Sequence, residues 1–246
     1  MSSKMHAVTN EPSRDSLLKR VVWSALTSRH AQFSQGGDLA RRFDPAISPF
    51  AAAANNSPEA LAALAELIQP GDDLAFILQA DDIALPHELE AEITALGVLM
   101  VEVSPSAGPS RSTSIVQLDE TDVPEMVELA TLTKPGPFTA RTPELGTFFG
   151  IRLDGRLAAM AGSRINLDGY TEVSGICTHP DFRGRGLASE LSLHVTEVIR
   201  SRGDIPFLHA YADNHGAIAL YRKLGFEIWR EVNVAVVRRK AQIDPD

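Results

Sequence analysis

Residues 172–188 read EVSGICTHPDFRGRGLA: a strand that runs into a proline, two glycines and the start of a helix. Pro180 lacks a backbone donor and ends the strand, while Gly184 and Gly186 let the chain bend sharply with amides exposed. Beyond the bend, Leu187, Leu191, Val195, Val198 and Ile199 recur on one face of a long amphipathic helix. The first four N–H groups of any helix lack partners, and its dipole adds about half a positive charge there. The bend is therefore suited to an anion of the pyrophosphate kind, and Arg183 and Arg185 add charge beside it. A P-loop would need a lysine after the glycines, and a dinucleotide fingerprint a third glycine where Ser189 stands. Plain turn glycines at a helix start are the simpler alternative.

Downstream, Phe207–Tyr211 alternates as a strand, and residues 214–226 read NHGAIALYRKLGF. Asn214 stands at the mouth of a helix whose face carries Ala217, Leu220, Tyr221 and Leu224, and Gly225 closes it before a strand from Phe226. Upstream, Ile115–Leu118 reads as a strand and Thr121–Leu132 as a helix with Thr121 as N-cap, followed by the loop Lys134–Pro137. Phe148–Leu153 and Leu157–Ile165 form a hairpin about Asp154-Gly155, and Asp168-Gly169 turns into the strand Tyr170–Thr178.

Residues 104–114, SPSAGPSRSTS, have the composition of a linker and divide the chain into residues 1–103 and 115–246. In the first part, Leu18, Val21, Val22, Ala25 and Leu26 keep helical spacing, as do Leu61, Leu64 and Ile68 behind a Ser57 N-cap and Pro58. Leu74–Leu78 reads as a strand, Pro86–Leu96 as a helix and Val98–Val103 as a strand, a β-α-β lobe. The whole is expected to be a mixed α/β (α+β) protein. No metal-ligand spacing and no nucleophile–base arrangement occurs in the first part. The pairs Asp72-Asp73 and Asp81-Asp82 read as solvated turns.

The chain has 246 residues, 44% hydrophobic and 22% charged, which supports a packed core and excludes a fibrous or disordered class. A net charge of −9 argues against bulk attraction to nucleic acid, so any anion site must be local. One cysteine, Cys177, excludes an intrachain disulfide, and no signal-like or membrane-spanning apolar run is present; a cytoplasmic protein without a membrane partner is the expectation.

Taken in order, the bend RGRGLA at 183–188 and the segment 214–226 resemble the two cofactor-binding motifs of the GNAT superfamily of acyl-CoA-dependent N-acetyltransferases. The stretch 175–188 is similar to the branch of glycine N-acyltransferase-like proteins. The likeness covers residues 113–240 and none of its cofactor motifs lies before residue 104; in some double-lobed members the N-terminal half is a degenerate copy of the same fold, and the β-α-β pattern is compatible with that. The resemblance implies acetyl-CoA or another acyl-CoA as co-substrate, no metal, and a primary amine of a small molecule or peptide as acceptor. It implies that amides of Arg183, Gly184, Arg185, Gly186, Leu187 and Ala188 hold the pyrophosphate. The pantetheine arm would run beside Ile176, Cys177 and Thr178, at a splay marked by Gly175, and meet Asn214. Glu172 is the expected general base and Tyr221 the acid that meets the leaving sulfur. Cys177 beside His179 could be read as a nucleophile and base, but direct transfer needs no acyl-enzyme. A catalytically silent acyl-CoA-binding module remains open, and so, further off, does a dinucleotide oxidoreductase with Asp204 as ribose partner.

Overall fold

The computed structural model describes residues 14–71, 73–106 and 114–241. Most of the expected linker, residues 107–113, and Asp72 of the first acidic pair lie outside them. In chain order the elements are α1 (Arg14–Lys19), α2 (Val21–Leu26), β1 (Ser34–Gly36), β2 (Ala40–Phe43), β3 (Ala51–Ala53), α3 (Pro58–Leu67), β4 (Ala75–Gln79) and β5 (Leu89–Glu102). Then follow β6 (Ile115–Gln117), α4 (Val123–Thr133), β7 (Phe148–Leu153), β8 (Arg156–Leu167), β9 (Tyr170–Thr178), α5 (Leu187–Ser201), β10 (Ile205–Tyr211), α6 (His215–Lys223) and β11 (Phe226–Arg239).

A small sheet, β1-β2-β3, stands beside an eight-stranded sheet ordered β4-β11-β5-β10-β9-β8-β7-β6. Its neighbours are antiparallel except β9 and β10, which run parallel, so the sheet is mixed as expected. Two of its strands come from before residue 104: β4 lies at one edge and β5 lies between β10 and β11. The expected boundary at 104–114 therefore does not interrupt the sheet.

Strand β5 corrects the reading of Pro86–Leu96 as a helix. Leu89, Ile93 and Leu96 have helical spacing, but Ile93 and Leu96 are 58% and 55% exposed and cover no core. What fixes the extended form is the partner: β5 pairs with β11 from Leu89↔Arg239 to Glu102↔Phe226, and Arg238 Nε meets Glu90 Oε1 at 2.8 Å and Glu92 Oε1 at 3.0 Å across the strands. Further along, Val98 and Met100 pack with α5 and α6 on one face, and Leu99 and Val101 pack with α1 and α2 on the other. A strand buried on both faces reads as an unbroken apolar run. Each of these side chains contributes about 1.5–3 kcal/mol on leaving water.

Helix signals near the ends fared unevenly. Ser57 caps α3 as read, its Oγ accepting from Ala60 N at 3.2 Å. The cap expected at Thr121 is instead Asp119, whose Oδ1 accepts from Thr121 N at 2.8 Å and from its Oγ1 at 2.7 Å before a 3-10 turn leads into α4. The hairpin about Asp154-Gly155 forms between β7 and β8. Glycine is required where β5 ends: Gly225 has φ +93°, and a Cβ there would lie 1.7 Å from Ser104 O, while Val103 N and Ser104 N both donate to Gly225 O.

Candidate active site

The site is built where β9 and β10 part. They pair in register only over Ile205↔Tyr170, Pro206↔Thr171 and Phe207↔Glu172, after which each strand continues without the other. On its far edge β9 stays bonded to β8 through Met160↔Cys177 and Ala159↔Thr178. Between Ser174 and Cys177 two residues of β9 stand against one of β8, a bulge at Gly175, whose φ is +63°. His179 N donates to Ala158 O on the β8 side, so the alternation of peptide groups turns the N–H of Thr178 toward the open edge.

At the end of β9 the chain makes one 3-10 turn, Pro180–Phe182, and then the bend. Gly184 and Gly186 take φ of +77° and +79°, and a Cβ on either would meet nothing within 4 Å. Glycine serves here through its backbone angle. No side chain caps α5, whose core face, Leu187, Leu191, Val195 and Ile199, is buried as the spacing predicts. Arg183 and Arg185 are exposed, Arg185 with its guanidinium 5.3 Å from the Phe182 ring centre.

A cavity of about 250 Å³ opens at the strand gap. Ile176 from β9, His209 and Tyr211 from β10, and Asn214, Ala217 and Tyr221 around α6 line it, together with Lys134–Pro137 and Arg164. Phe50, Phe76 and Leu78 form a further wall, so residues from before and after position 104 share it. A wider groove of about 510 Å³ beside the start of β5 holds no comparable set of titratable groups.

Tyr221 is 8% exposed, and burial pushes its phenol up to about 12, so it stays protonated throughout the neutral range. Asn214 caps α6, its Oδ1 accepting from Ala217 N at 3.1 Å, which commits the carbonyl end of the side chain and leaves the amide group for another partner. Cys177 and His179 do not form a nucleophile and base. The buried thiol is pushed up to about 11, and His179 Nδ1 accepts from Asp181 N at 3.2 Å, capping the turn.

Glu172, the expected general base, is enclosed by its neighbours. It is 1% exposed, and its Oε2 and Oε1 accept from Arg164 Nε at 3.1 Å and Nη2 at 3.2 Å. Oε1 also meets His209 Nδ1 at 2.8 Å. Burial alone would raise its pKa, but the Arg164 charge and the His209 hydrogen bond outweigh it and hold it at about 2. Glu172 is not among the cavity-lining residues; His209 and Arg164 are, and both were missed in the sequence. His209 carried no motif. Its contact with Glu172 follows from the parallel register of β9 and β10, which a single strand's alternation does not encode.

The profile of the FR47-like protein family matches residues 148–234. A [ribosomal protein bS18]-alanine N-acetyltransferase of Salmonella typhimurium is 32% identical over 133 residues, which cover 50% of this chain and 82% of that one. A protein of Novosphingobium aromaticivorans assigned to the GNAT acetyltransferase family superposes with a TM-score of 0.85 at 40% identity over 91% of this chain and 99% of its own. The chain belongs to the GNAT family. It is an acyl-CoA-dependent acetyltransferase, homologous to the S18-alanine enzymes. A GCN5-related N-acetyltransferase of Kribbella flavida, at 19% identity and a TM-score of 0.64 over 92% of this chain, shares the fold. Among the described residues no helix is long and apolar enough to cross a membrane, and no group of three His, Cys, Asp or Glu side chains could hold a metal ion.

Proposed function

We propose that the protein transfers an acetyl group from acetyl-CoA to the primary amine of a small molecule or peptide by direct attack in a ternary complex. The observation that carries this reading is the parting of β9 and β10, followed along the chain by the uncapped start of α5. An extended amide-containing arm laid along the open edge of β9 replaces the missing strand at Ile176–Thr178. Its diphosphate then falls on the amides of residues 183–188, beside Arg183 and Arg185. Asn214 caps α6 with its carbonyl and donates to the arm with its amide group.

The amine nitrogen forms the new bond to the thioester carbonyl, and the C–S bond breaks. A backbone amide near Ile176 or Cys177 meets the developing oxyanion. Tyr221 donates to the departing sulfur. With a phenol near 12 it acts by hydrogen bonding while the thiolate leaves, because a thiolate of ordinary basicity does not strip such a proton outright. The proton lost by the amine passes to the Glu172–His209 pair.

The acceptor meets the wall of Phe50, Phe76 and Leu78 and the loop Lys134–Pro137. No carboxylate is among the described residues lining this cavity, so the chain's net charge of −9 does not make the cavity a polycation site. The stretch 175–188, similar to the glycine N-acyltransferase-like branch, faces the co-substrate and does not choose between small amines and peptides. An alanine-initiated peptide, suggested by the S18-alanine relatives, is the first acceptor to try.

The test is free-thiol release from acetyl-CoA across a panel of amines and peptides. Arg183→Ala should raise KM for acetyl-CoA with little change in kcat, and Tyr221→Phe should lower kcat by about tenfold or more at unchanged acetyl-CoA affinity. Binding of acetyl-CoA with no thiol release for any acceptor would instead identify a silent acyl-CoA-binding module.

A further inference from the structure

The buried Glu172–His209 contact leaves one atom unexplained. Glu172 is ionised and has no proton to give, so the proton in the 2.8 Å contact sits on His209 Nδ1 and the carboxylate accepts it. In the neutral ring Nε2 then carries a lone pair. Nε2 is buried and meets no hydrogen-bond partner among the described residues, although the His209 ring lines the cavity with Tyr221 and Ile176. An enclosed acceptor without a donor is costly unless the occupant of the site supplies one.

We infer that His209, through Nε2, is the base that takes the proton from the attacking amine, and that Glu172 and Arg164 are positioning residues behind it. This rests on the transferase reading above. Arg164 grips both carboxylate oxygens, donates through Nη1 to Pro137 O at 3.3 Å, and lies with its guanidinium 4.8 Å from the Phe50 ring centre. It thereby fixes Glu172, and Glu172 fixes the ring and its tautomer. Phe207 packs edge-on against the imidazole at 5.7 Å. The other titratable or charged groups at the cavity are Arg164, Lys134, Tyr211 and Tyr221, none of them a carboxylate that could take the proton at neutral pH.

The proton balance closes without any further reactant. The amine's lone pair bonds to the carbonyl carbon, the C–S electrons leave with sulfur, and the proton released by nitrogen goes to Nε2 and from there to solvent or the thiolate. The imidazolium so formed stands against the Glu172 carboxylate.

Two measurements on the full chain test this. The first compares thiol release by wild type, His209→Gln and Glu172→Gln with alanine-initiated tetrapeptide, glycine and spermidine as acceptors from pH 5 to 9, with acetyl-CoA affinity by calorimetry as the check on folding. His209→Gln is expected to lower kcat by about 100-fold or more, to keep acetyl-CoA affinity, and to abolish the acidic limb of the rate profile; Glu172→Gln is expected to shift that limb. A His209→Gln enzyme within threefold of wild type, or one with the limb unchanged, overturns the assignment. The second reads the imidazole nitrogens of His209 by ¹⁵N NMR. A protonated Nδ1 and bare Nε2 at pH 8 are expected, and the reverse tautomer overturns the assignment regardless of activity. If wild type binds acetyl-CoA yet releases no thiol with any acceptor, the transferase reading fails and takes the base with it.

Discussion

At the scale of single residues, Glu172 shows how placement decides chemistry. A glutamate on a strand leading to the cofactor bend is the natural base when read in isolation. In the fold it is enclosed, doubly bonded to Arg164 and held near 2, too weak a base to take a proton at neutral pH. That information lies in β8 and β10, on which residues 164 and 209 sit, and no spacing within residues 172–188 contains it. By contrast the placement of Tyr221, Asn214 and the two bend glycines was readable, because each sits within the helix or turn that its own neighbours specify. The depressed pKa has a thermodynamic consequence. A carboxylate whose folded pKa lies below its unfolded value stabilises the fold above the unfolded pKa, and that contribution fades as pH falls through the folded one. For Glu172 the window runs from the ordinary 4.5 down to about 2. Between pH 5 and pH 2.5 the wild type should lose about 2 kcal/mol more unfolding free energy than Glu172→Gln. Urea unfolding at the two pH values measures the difference, and equal losses would refute it.

At the scale of elements, local signals worked where the determinant was local. Ser57 with Pro58, the Asp154-Gly155 turn and the apolar face of α5 all form as read. The reading failed for residues 86–96, where helical spacing of Leu89, Ile93 and Leu96 was overruled by pairing with β11 from Leu89 onward. Periodicity reports a buried face only if the face is buried, and Ile93 and Leu96 are not. The junction of β5 with α6 offers a sharp test. Gly225→Ala places a methyl group against Ser104 O at a backbone angle that disfavours side chains, and neither backbone can yield cheaply. The expected loss is about 3 kcal/mol or more, read as a drop in thermal midpoint. A midpoint within two degrees of wild type would show that the junction gives way.

At the scale of the whole molecule, the N-terminal residues complete the catalytic sheet. Since β5 fills the space between β10 and β11 and Phe50, Phe76 and Leu78 wall the cavity, residues 114–246 alone would expose a slot with unpaired backbone on both sides. Expressed alone they should aggregate, and co-expression with residues 1–106 should restore a folded, acetyl-CoA-binding pair; a stable, well-dispersed NMR spectrum from the isolated piece would defeat this. The linker composition of residues 104–114 marks where the chain leaves β5, and says nothing of where that strand inserts. The gap between β9 and β10 carries one more consequence. A sheet left half-zipped keeps its loosest rungs for whatever slides into them, so an acyl donor bound there as proposed would tighten the protein. Under the proposed function, loading with acetyl-CoA stiffens the central strands, and the enzyme without its acyl donor is expected to be the more vulnerable to heat.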